Sequence, residues 1–252
     1  MNRLVLTRHS SGFSLIELLV ASLLTLILLL GVVQLFSTTG TATRLQENQA
    51  LLQDHARYAT RLLSATVRQA GYSPEPWNDH FAIEAIAPGT ENAATGASDR
   101  LVVRSWSDLN CFDNRNPDQD GGKPRFYIRE SSFDLNSSGH LTRSCRYGPS
   151  VSEMVSQVRR QGLVPGVESI QFLFGDDQDR DGNVDRWVCA GQWSDERQVL
   201  GIRIGMLLAG PDSVRQASTR VYDILDVQHE SKKDGKLRHA VELSLSVQGR
   251  GG

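Results

Sequence analysis

Proline, cysteine and excess charge are all scarce in this sequence, and each scarcity narrows what the protein can be. Its 252 residues include only eight prolines and three cysteines, and the formal net charge is −2. Without a basic excess, direct binding of nucleic acid or a purely electrostatic attachment to membranes is disfavoured. Common catalytic patterns, namely G-x-S-x-G, G-x-x-x-x-G-K-[ST], H-E-x-x-H and paired C-x-x-C, are absent, and the six histidines are scattered. The sequence therefore predicts a protein that is not an enzyme.

A single long apolar run, Phe13–Phe36, contains Glu17 as its only charge. As a helix it would extend about 36 Å, enough to cross a hydrocarbon core of ~30 Å. Arg3 and Arg8 precede it without any acidic residue, which predicts a cytoplasmic N-terminus and an exported remainder. A cleaved secretory signal is the alternative, but the run exceeds the ~7–15 residues of such signals and no clean A-x-A site follows. We therefore expect a retained anchor.

The lack of proline continues from Phe13 to Ser73, which predicts that the helix extends well beyond the apolar run. Apolar residues recur there at helical spacing with a polar complement. They are Leu45, Leu52, Ala56, Ala59, Leu63, Val67 and Ala70. We expect one helix over 14–70, about 85 Å long, which ends at Gly71 and Pro74.

After Gly71 the pattern changes to short runs of β-forming residues separated by turn-forming clusters. These runs lie at 81–87, 101–106, 125–129, 167–174, 184–190, 199–208 and 240–247. The segment VSEMVSQVRR at 151–160 is predicted to be a short helix. Because no repeat and no strand–helix alternation is present, we expect an α+β protein with a mostly antiparallel sheet.

The stretch GFSLIELLVA at 12–21 resembles the N-terminus of type IV prepilins. In that family a short basic leader ends in glycine and is followed by phenylalanine, an apolar run and a glutamate at the fifth mature position, which here are Gly12, Phe13 and Glu17. The resemblance implies that a prepilin peptidase cleaves between Gly12 and Phe13 and methylates the new amine of Phe13.

The stretch LVPGVESIQFLFGDDQDRDGNVDRWV at 163–188 resembles the PilW group of minor pilins, and VLGIRIGMLLAG and AVELSLSVQGR resemble its later strands. The matching residues are Gly166, Val167, Glu168, Ile170, Gln171, Gly175 and Asp177. Gln34 is a departure, since many major pilins have a helix-kinking proline there. The resemblance implies a pilin-like fold, with a long N-terminal helix packed on the sheet. Its expected parts are a leader peptide at 1–12, a transmembrane and assembly helix at 13–36, a periplasmic helix at 37–71 and a β-rich body at 72–252.

Glu17 would be costly inside a bilayer without a partner. Cleavage after Gly12 creates one, an α-amino group with a reference pKa of ~7.7–8.0 that is largely protonated at neutral pH. Glu17 lies four residues along the helix and could pair with the amine of Phe13 in its own chain. In a filament the resemblance implies pairing with the amine of a neighbouring subunit. A Glu17 merely tolerated near the membrane boundary is the remaining alternative.

Three cysteines in an exported body allow one disulfide, with three possible pairings. Cys111 and Cys145 flank the polar insertion 112–144, and the resemblance implies that these two are paired. Cys189, in the apolar stretch WVCA, is then expected to be a buried free thiol.

The segment after Gly175 has oxygen-bearing side chains at alternating positions, a pattern typical of calcium loops. The candidate ligands are Asp177, Asp179, Asp181, Asn183 and Asp185. Gly182 occupies the position of the sharp turn, but Val188 stands where an EF-hand has its bidentate glutamate. An acidic turn without an ion explains the same residues. NPDQDG at 116–121 repeats the pattern weakly and is predicted to be a turn.

The resemblance implies that the chain is a minor pilin with a single-pass anchor in the bacterial inner membrane and a periplasmic body, and that it later reaches the pilus tip. The resemblance implies other minor pilins, the major pilin and a PilY-type tip adhesin as partners. The complex would prime pilus assembly and thereby support twitching, adhesion and, in some bacteria, DNA uptake. A type II secretion pseudopilin similar to the GspJ group is the alternative.

Overall fold

The computed structural model describes residues 14–93 and 96–247. It divides the chain into two units, which meet between Glu47 and Asn48. One helix, α1 (Leu15–Val67), supplies the described helical part of the first unit and continues into the second. The continuous helix expected from the lack of proline is therefore present, and it ends three residues before the predicted boundary. Gly71, with a φ of 77°, turns the chain, and its N–H donates to the carbonyl oxygen of Arg104 at 2.8 Å.

The first unit presents its apolar side chains outward. Leu15 is 79% exposed, and Leu28 and Leu35 are each 70% exposed. The helix is long and apolar enough to span a membrane. In water such a surface would be strongly unfavourable, so a lipid or protein environment must cover it.

The second unit is built mainly of antiparallel strands. These are β1 (Leu101–Ser107), β2 (Gln119–Asp120), β3 (Lys123–Pro124), β4 (Tyr127–Leu135), β5 (Leu141–Gly148), β6 (Val155–Val164), β7 (Val167–Asp176), β8 (Arg186–Val188), β9 (Val199–Ser213), β10 (Val221–Ile224), β11 (Val227–Glu230) and β12 (Lys236–Ser246). Short 3₁₀ turns occupy Asp79–Phe81, Val151–Glu153 and Glu196–Gln198.

Two four-stranded sheets form the body among the described residues. The first sheet has the order β1-β4-β5-β6 and the second has the order β12-β9-β7-β8. Each neighbouring pair is antiparallel. Two small hairpins, β2-β3 and β10-β11, complete the unit. The α+β architecture expected from the sequence is therefore confirmed.

The core of the body lies along the inner stripe of α1 and the apolar faces of the sheets. Ala59, Leu63 and Val67 on α1 are fully buried, as the helical spacing predicted. Phe172 on β7 and Ile204 on β9 pair across the second sheet and are buried to 1% exposure or less. Fully burying each such side chain stabilises the fold by roughly 1.5–3 kcal/mol.

Asn48 fixes α1 to the end of β9. Its side chain is 2% exposed, its Oδ1 accepts the backbone N–H of Asp212 at 3.1 Å, and its Nδ2 donates to the Asp212 carboxylate at 3.2 Å. A buried amide on an otherwise apolar helix stripe is stable only with such partners. The pair therefore joins elements that are 164 residues apart in sequence.

Two expectations on local structure were wrong. Residues 151–160 do not form a helix, because after a short 3₁₀ turn they become strand β6, which pairs with β5. Residues 81–87 do not form a strand, because only Ile86 makes an isolated bridge, to Val103 on β1. Phe81 instead ends a 3₁₀ turn and packs edge-on against Trp106, with ring centroids 4.9 Å apart.

Candidate functional site

Glu17 lies in the first turn of α1. Its Oε2 accepts the backbone N–H of Ser14 at 3.0 Å, which satisfies one of the N–H groups left unpaired at a helix start. The carboxylate therefore points back along the helix towards the residue that directly follows Phe13. Gly12 and Phe13 themselves lie outside the described residues, so their cleavage and methylation stay predictions.

Hydroxyl groups in the apolar run donate hydrogen bonds to backbone carbonyl oxygens of the same helix. Ser22 donates to the carbonyl oxygen of Leu19 at 2.9 Å, and Thr25 donates to that of Ala21 at 2.7 Å. Such intrahelical bonds remove the cost of placing a hydroxyl in hydrocarbon. Glu17 is therefore the only charged group that the described part of the apolar run presents to its surroundings.

The acidic segment after β7 brings three of the five predicted calcium ligands together. Oxygen atoms of Asp177, Asp179 and Asp185 all lie within 4.8 Å of one another. Asp181 is not part of this group, because its carboxylate accepts the backbone N–H of Asn183 at 2.8 Å and the Asn183 side-chain amide at 3.0 Å. The geometry thus supplies three carboxylates rather than the complete predicted set.

The same segment is also a well-bonded turn. Asp177 is buried and accepts the N–H groups of Asp181 at 3.2 Å and Gly182 at 3.0 Å. The N–H of Asp181 lowers the pKa of Asp179, but desolvation and three neighbouring carboxylates outweigh it, so that the net pKa is raised. This mutual repulsion is what a bound cation would relieve. Both predicted alternatives, the calcium loop and the acidic turn, therefore remain predictions.

A disulfide joins Cys111 and Cys145, with an S–S distance of 2.06 Å and a Cα–Cα distance of 5.8 Å. This is the pair that the resemblance implies. Both cysteines are buried and pack with Val158 on β6. The bond therefore ties the loop after β1 to the centre of β5.

Cys189 is the free cysteine of the described residues, and it is half-buried rather than fully buried. Its Sγ donates to the Asp226 carboxylate at 3.3 Å. Burial and this neighbouring carboxylate raise the pKa of the thiol to about 11, so it stays protonated at neutral pH. A protonated thiol is a poor nucleophile, which disfavours a reactive role.

Glu168 on β7, which belongs to the PilW-like stretch, links β7 to β12, the two strands that flank β9. Arg238 on β12 donates to both of its carboxylate oxygens, at 2.6 and 2.8 Å, and is itself 2% exposed at the side chain. Asp234 accepts from the same guanidinium at 2.9 Å, and this bond lowers its pKa to about 2. Sequence reasoning singled out Glu168 but missed its partner, which lies 70 residues away.

A second ion cluster, also missed, crosses the first sheet. Glu130 on β4 is directly opposite Arg104 on β1 and Arg146 on β5. Arg104 Nε donates to Glu130 at 2.7 Å, and Arg146 Nε donates to it at 2.8 Å. The Glu130 side chain is 8% exposed, so its charge depends on these two arginines.

Comparisons with known proteins agree with this architecture. The family described as type IV pilus-assembly protein W, PilW, matches residues 125–248, and the prokaryotic N-terminal methylation motif matches residues 7–33. Among solved structures, the type IV-like pilin TTHA1219 from Thermus thermophilus is similar, with a TM-score of 0.50 and 14% identity over 80% of this chain and 97% of that one. At this identity the likeness shows the fold alone. No curated protein matches the sequence significantly.

Proposed function

Because this chain belongs to the PilW family of type IV pilus-assembly proteins, we propose that it is a minor pilin of a pilus-tip complex that primes pilus assembly. The observation that carries the proposal is the presence, on one chain, of the prepilin methylation motif at 7–33 and the PilW match at 125–248. The pilin-like fold supports it. Through assembly the protein would promote twitching, adhesion and, where the bacterium is competent, DNA uptake.

Residues 1–12 would be the leader, removed between Gly12 and Phe13 by a prepilin peptidase. Residues 13–36 would anchor the chain in the inner membrane before assembly, and 37–71 would continue the helix into the periplasm. The body at 72–252 would face the periplasm and later the cell exterior. The Cys111–Cys145 disulfide fits such an oxidising location.

Glu17 would act after cleavage. In the free chain its carboxylate lies over the helix start, within reach of the N–H of Ser14. The amine of Phe13 would neutralise it in the membrane, at a place where the helix dipole also favours a negative charge. In the filament the amine of a neighbouring subunit would replace that partner, while the exposed apolar helices pack together. Other minor pilins, the major pilin and a PilY-type adhesin are the proposed partners.

Replacement of Glu17 tests this mechanism. Glu17→Ala is expected to leave leader cleavage intact and to reduce recovery of the protein in sheared pili, as measured by immunoblotting and by mass spectrometry of the N-terminal peptide. Glu47→Ala, an exposed glutamate farther along α1, is the matched control and should assemble normally. Full recovery of Glu17→Ala in sheared pili would contradict the proposed ion pair.

A deletion strain distinguishes the pilus from a type II secretion pseudopilus. Loss of surface pili with normal secretion of enzymes supports the proposal. Loss of secretion with normal pili would instead favour a pseudopilin similar to the GspJ group.

A further inference from the structure

The outer edge of β12 is open along a regular stretch of strand. β12 is an end strand of the second sheet, and from Arg238 to Ser246 it pairs with β9 without a register shift. The N–H of Val247 donates to the carbonyl oxygen of Leu200 on β9 at 2.9 Å. Because hydrogen-bonded pairs alternate in an antiparallel ladder, every second residue directs its N–H and C=O away from β9. These residues are Ala240, Glu242, Ser244 and Ser246.

The other end strands of the two four-stranded sheets, β1, β6 and β8, are each less accessible for pairing. β6 has three register irregularities against β5 and a left-handed residue, Arg160, with a φ of 42°. β8 is only three residues long. The edge of β1 is covered by the preceding loop, where Ala87 and Ala85 exchange backbone hydrogen bonds with Val102 and Arg104. In the part of the chain that the structure describes, no backbone bond covers the outward groups of β12. A long, regular, open edge is a template for pairing with another strand.

A groove runs beside this edge, between β12 and α1. Its volume is about 380 Å³, and Ala56 and Val241 contribute an apolar floor. Arg57 and Arg61 on α1 and His239 on β12 line its rim. Val241 is only half-buried, because α1 does not cover this outer strand as it covers the sheet centre. We call this feature the β12 groove.

The β12 groove is basic and its charges are uncompensated. Arg57 and Arg61 are exposed, and neither forms an ion pair or side-chain hydrogen bond with any described residue. The carboxylate of Glu242 lies on the opposite face of β12, since side chains alternate along a strand. Asp54, which is exposed on the same helix, does not line the groove and forms no ion pair with either arginine among the described residues. A ligand that brings carboxylates would therefore gain two charge interactions.

We propose that the β12 groove and the open edge of β12 form a docking site for an extended, carboxylate-bearing segment of another pilus subunit. The segment would add a strand to the second sheet through the outward backbone groups of β12. On its groove-facing side, an apolar side chain would contact Val241, and carboxylates would face Arg57 and Arg61. That the partner is a pilus subunit rests on the proposed assembly function. The strand pairing and the charge contacts rest only on the β12 groove and its open edge.

Binding of designed peptides to the purified full-length chain in detergent tests the site. The probe is a fluorescently labelled heptapeptide, Thr-Glu-Thr-Val-Thr-Glu-Thr, which places glutamate, valine and glutamate on one face of a strand. Its control replaces both glutamates with lysine. Fluorescence anisotropy should show saturable, salt-sensitive binding of the acidic peptide that is at least about tenfold tighter than that of the lysine peptide. Equal affinity for both, or no binding of the acidic peptide, would overturn the proposal.

Two variants separate the contribution of the arginine charges to peptide binding from that of strand pairing. Arg57→Glu with Arg61→Glu should weaken acidic-peptide binding by about tenfold or more. Ser244→Pro removes only an outward N–H and should abolish binding without loss of an internal bond. The matched control, Arg159→Glu with Arg197→Glu, changes two exposed arginines away from the β12 groove and should bind normally. Thermal unfolding by tryptophan fluorescence verifies that every variant is folded.

The docking site and the assembly role can be refuted independently of each other. If the deletion strain lacks pili but groove variants assemble normally, the docking site is refuted and the assembly role stands. If the purified chain binds the acidic peptide as expected but the deletion strain has normal pili, the assembly role is refuted alone. If sedimentation shows that the wild-type chain forms dimers and that Arg57→Glu with Arg61→Glu dissociates them, the edge binds a second copy of this chain. That result would overturn the proposal that a different pilus subunit docks there.

Discussion

Glu130→Gln is expected to destabilise the body by about 3 kcal/mol. The substitution keeps the shape of the side chain but removes the charge between Arg104 and Arg146. The Arg104 side chain is 10% exposed and would keep as its nearest carboxylate only Glu84, at 3.7 Å, which is half exposed. Breaking one side of a buried ion pair costs roughly 3–5 kcal/mol. Arg146 is 47% exposed at the side chain, so its share is screened by water and contributes at most about 1 kcal/mol.

For a body of this size such a loss lowers the midpoint of thermal unfolding by about 6–12 °C. Tryptophan fluorescence of the full-length protein in detergent is the suitable measurement, because all four tryptophans lie outside the apolar helix. Arg180→Gln is the control, since its ion pair with Asp195 is exposed and 3.9 Å long. Its effect should be below about 1 kcal/mol.

A triple variant tests whether the unpartnered buried charge is what destabilises Glu130→Gln. Replacing Arg104, Glu130 and Arg146 together with methionine, leucine and methionine removes all three charges at once. The combined variant should recover most of the stability lost in Glu130→Gln, because no buried charge is left without a partner. A Glu130→Gln midpoint shift no larger than that of Arg180→Gln would refute the argument that the cluster is buried and mutually dependent.

Three further predictions concern the other features of the body. Cys145→Ser should lower stability by about 4 kcal/mol on the chain-entropy model, measured by thermal unfolding with and without reductant for comparison. The lowered pKa of Asp234 contributes stability that is fully present above its ordinary pKa of 3.8 and is lost as pH falls towards about 2. In Asp234→Asn, the free energy of unfolding should therefore fall by about 1–2 kcal/mol less between pH 4 and pH 2 than in the wild type, as measured by denaturant titrations at each pH. If calcium binds, millimolar Ca²⁺ should raise the midpoint of the wild type but not that of Asp177→Asn with Asp185→Asn; no shift in the wild type would favour the acidic turn.

The helix and the fold class could be predicted because their signals are local. A proline-free sequence with apolar residues at helical spacing leaves few alternatives, and Leu63 and Val67 on that stripe are buried as expected. The 151–160 segment shows where the same rule fails. Val151, Met154, Val155 and Val158 also have helical spacing, but pairing with β5 and contact between Val158 and the disulfide favour a strand. Tertiary contacts override a short periodic pattern.

The hairpin β10-β11 had no turn signal that could be recognised. Its turn contains Leu225 with a φ of 55°, where glycine or asparagine is normally expected. The structure explains this choice, since Ile224 and Leu225 pack over Gly205 on β9 and leave no room there for a Cβ atom. The ion clusters were also beyond sequence reasoning, because their partners are 26 and 70 residues apart. For the acidic loop, the spacing predicted five ligands, but only the folded backbone shows that Asp181 turns towards Asn183.

The bond between Glu168 and Arg238 also limits the order in which the body can fold. Glu168 enters the second sheet on β7, yet Arg238 is carried by β12, which follows β9 in the chain. During synthesis, a chain from which β12 is still missing has a carboxylate without its cation and a central strand, β9, with one side unpaired. Both defects are resolved in the same step, when β12 pairs with β9. Completion of the body is therefore deferred until β12, which follows β9 in the chain, has been made, long after α1.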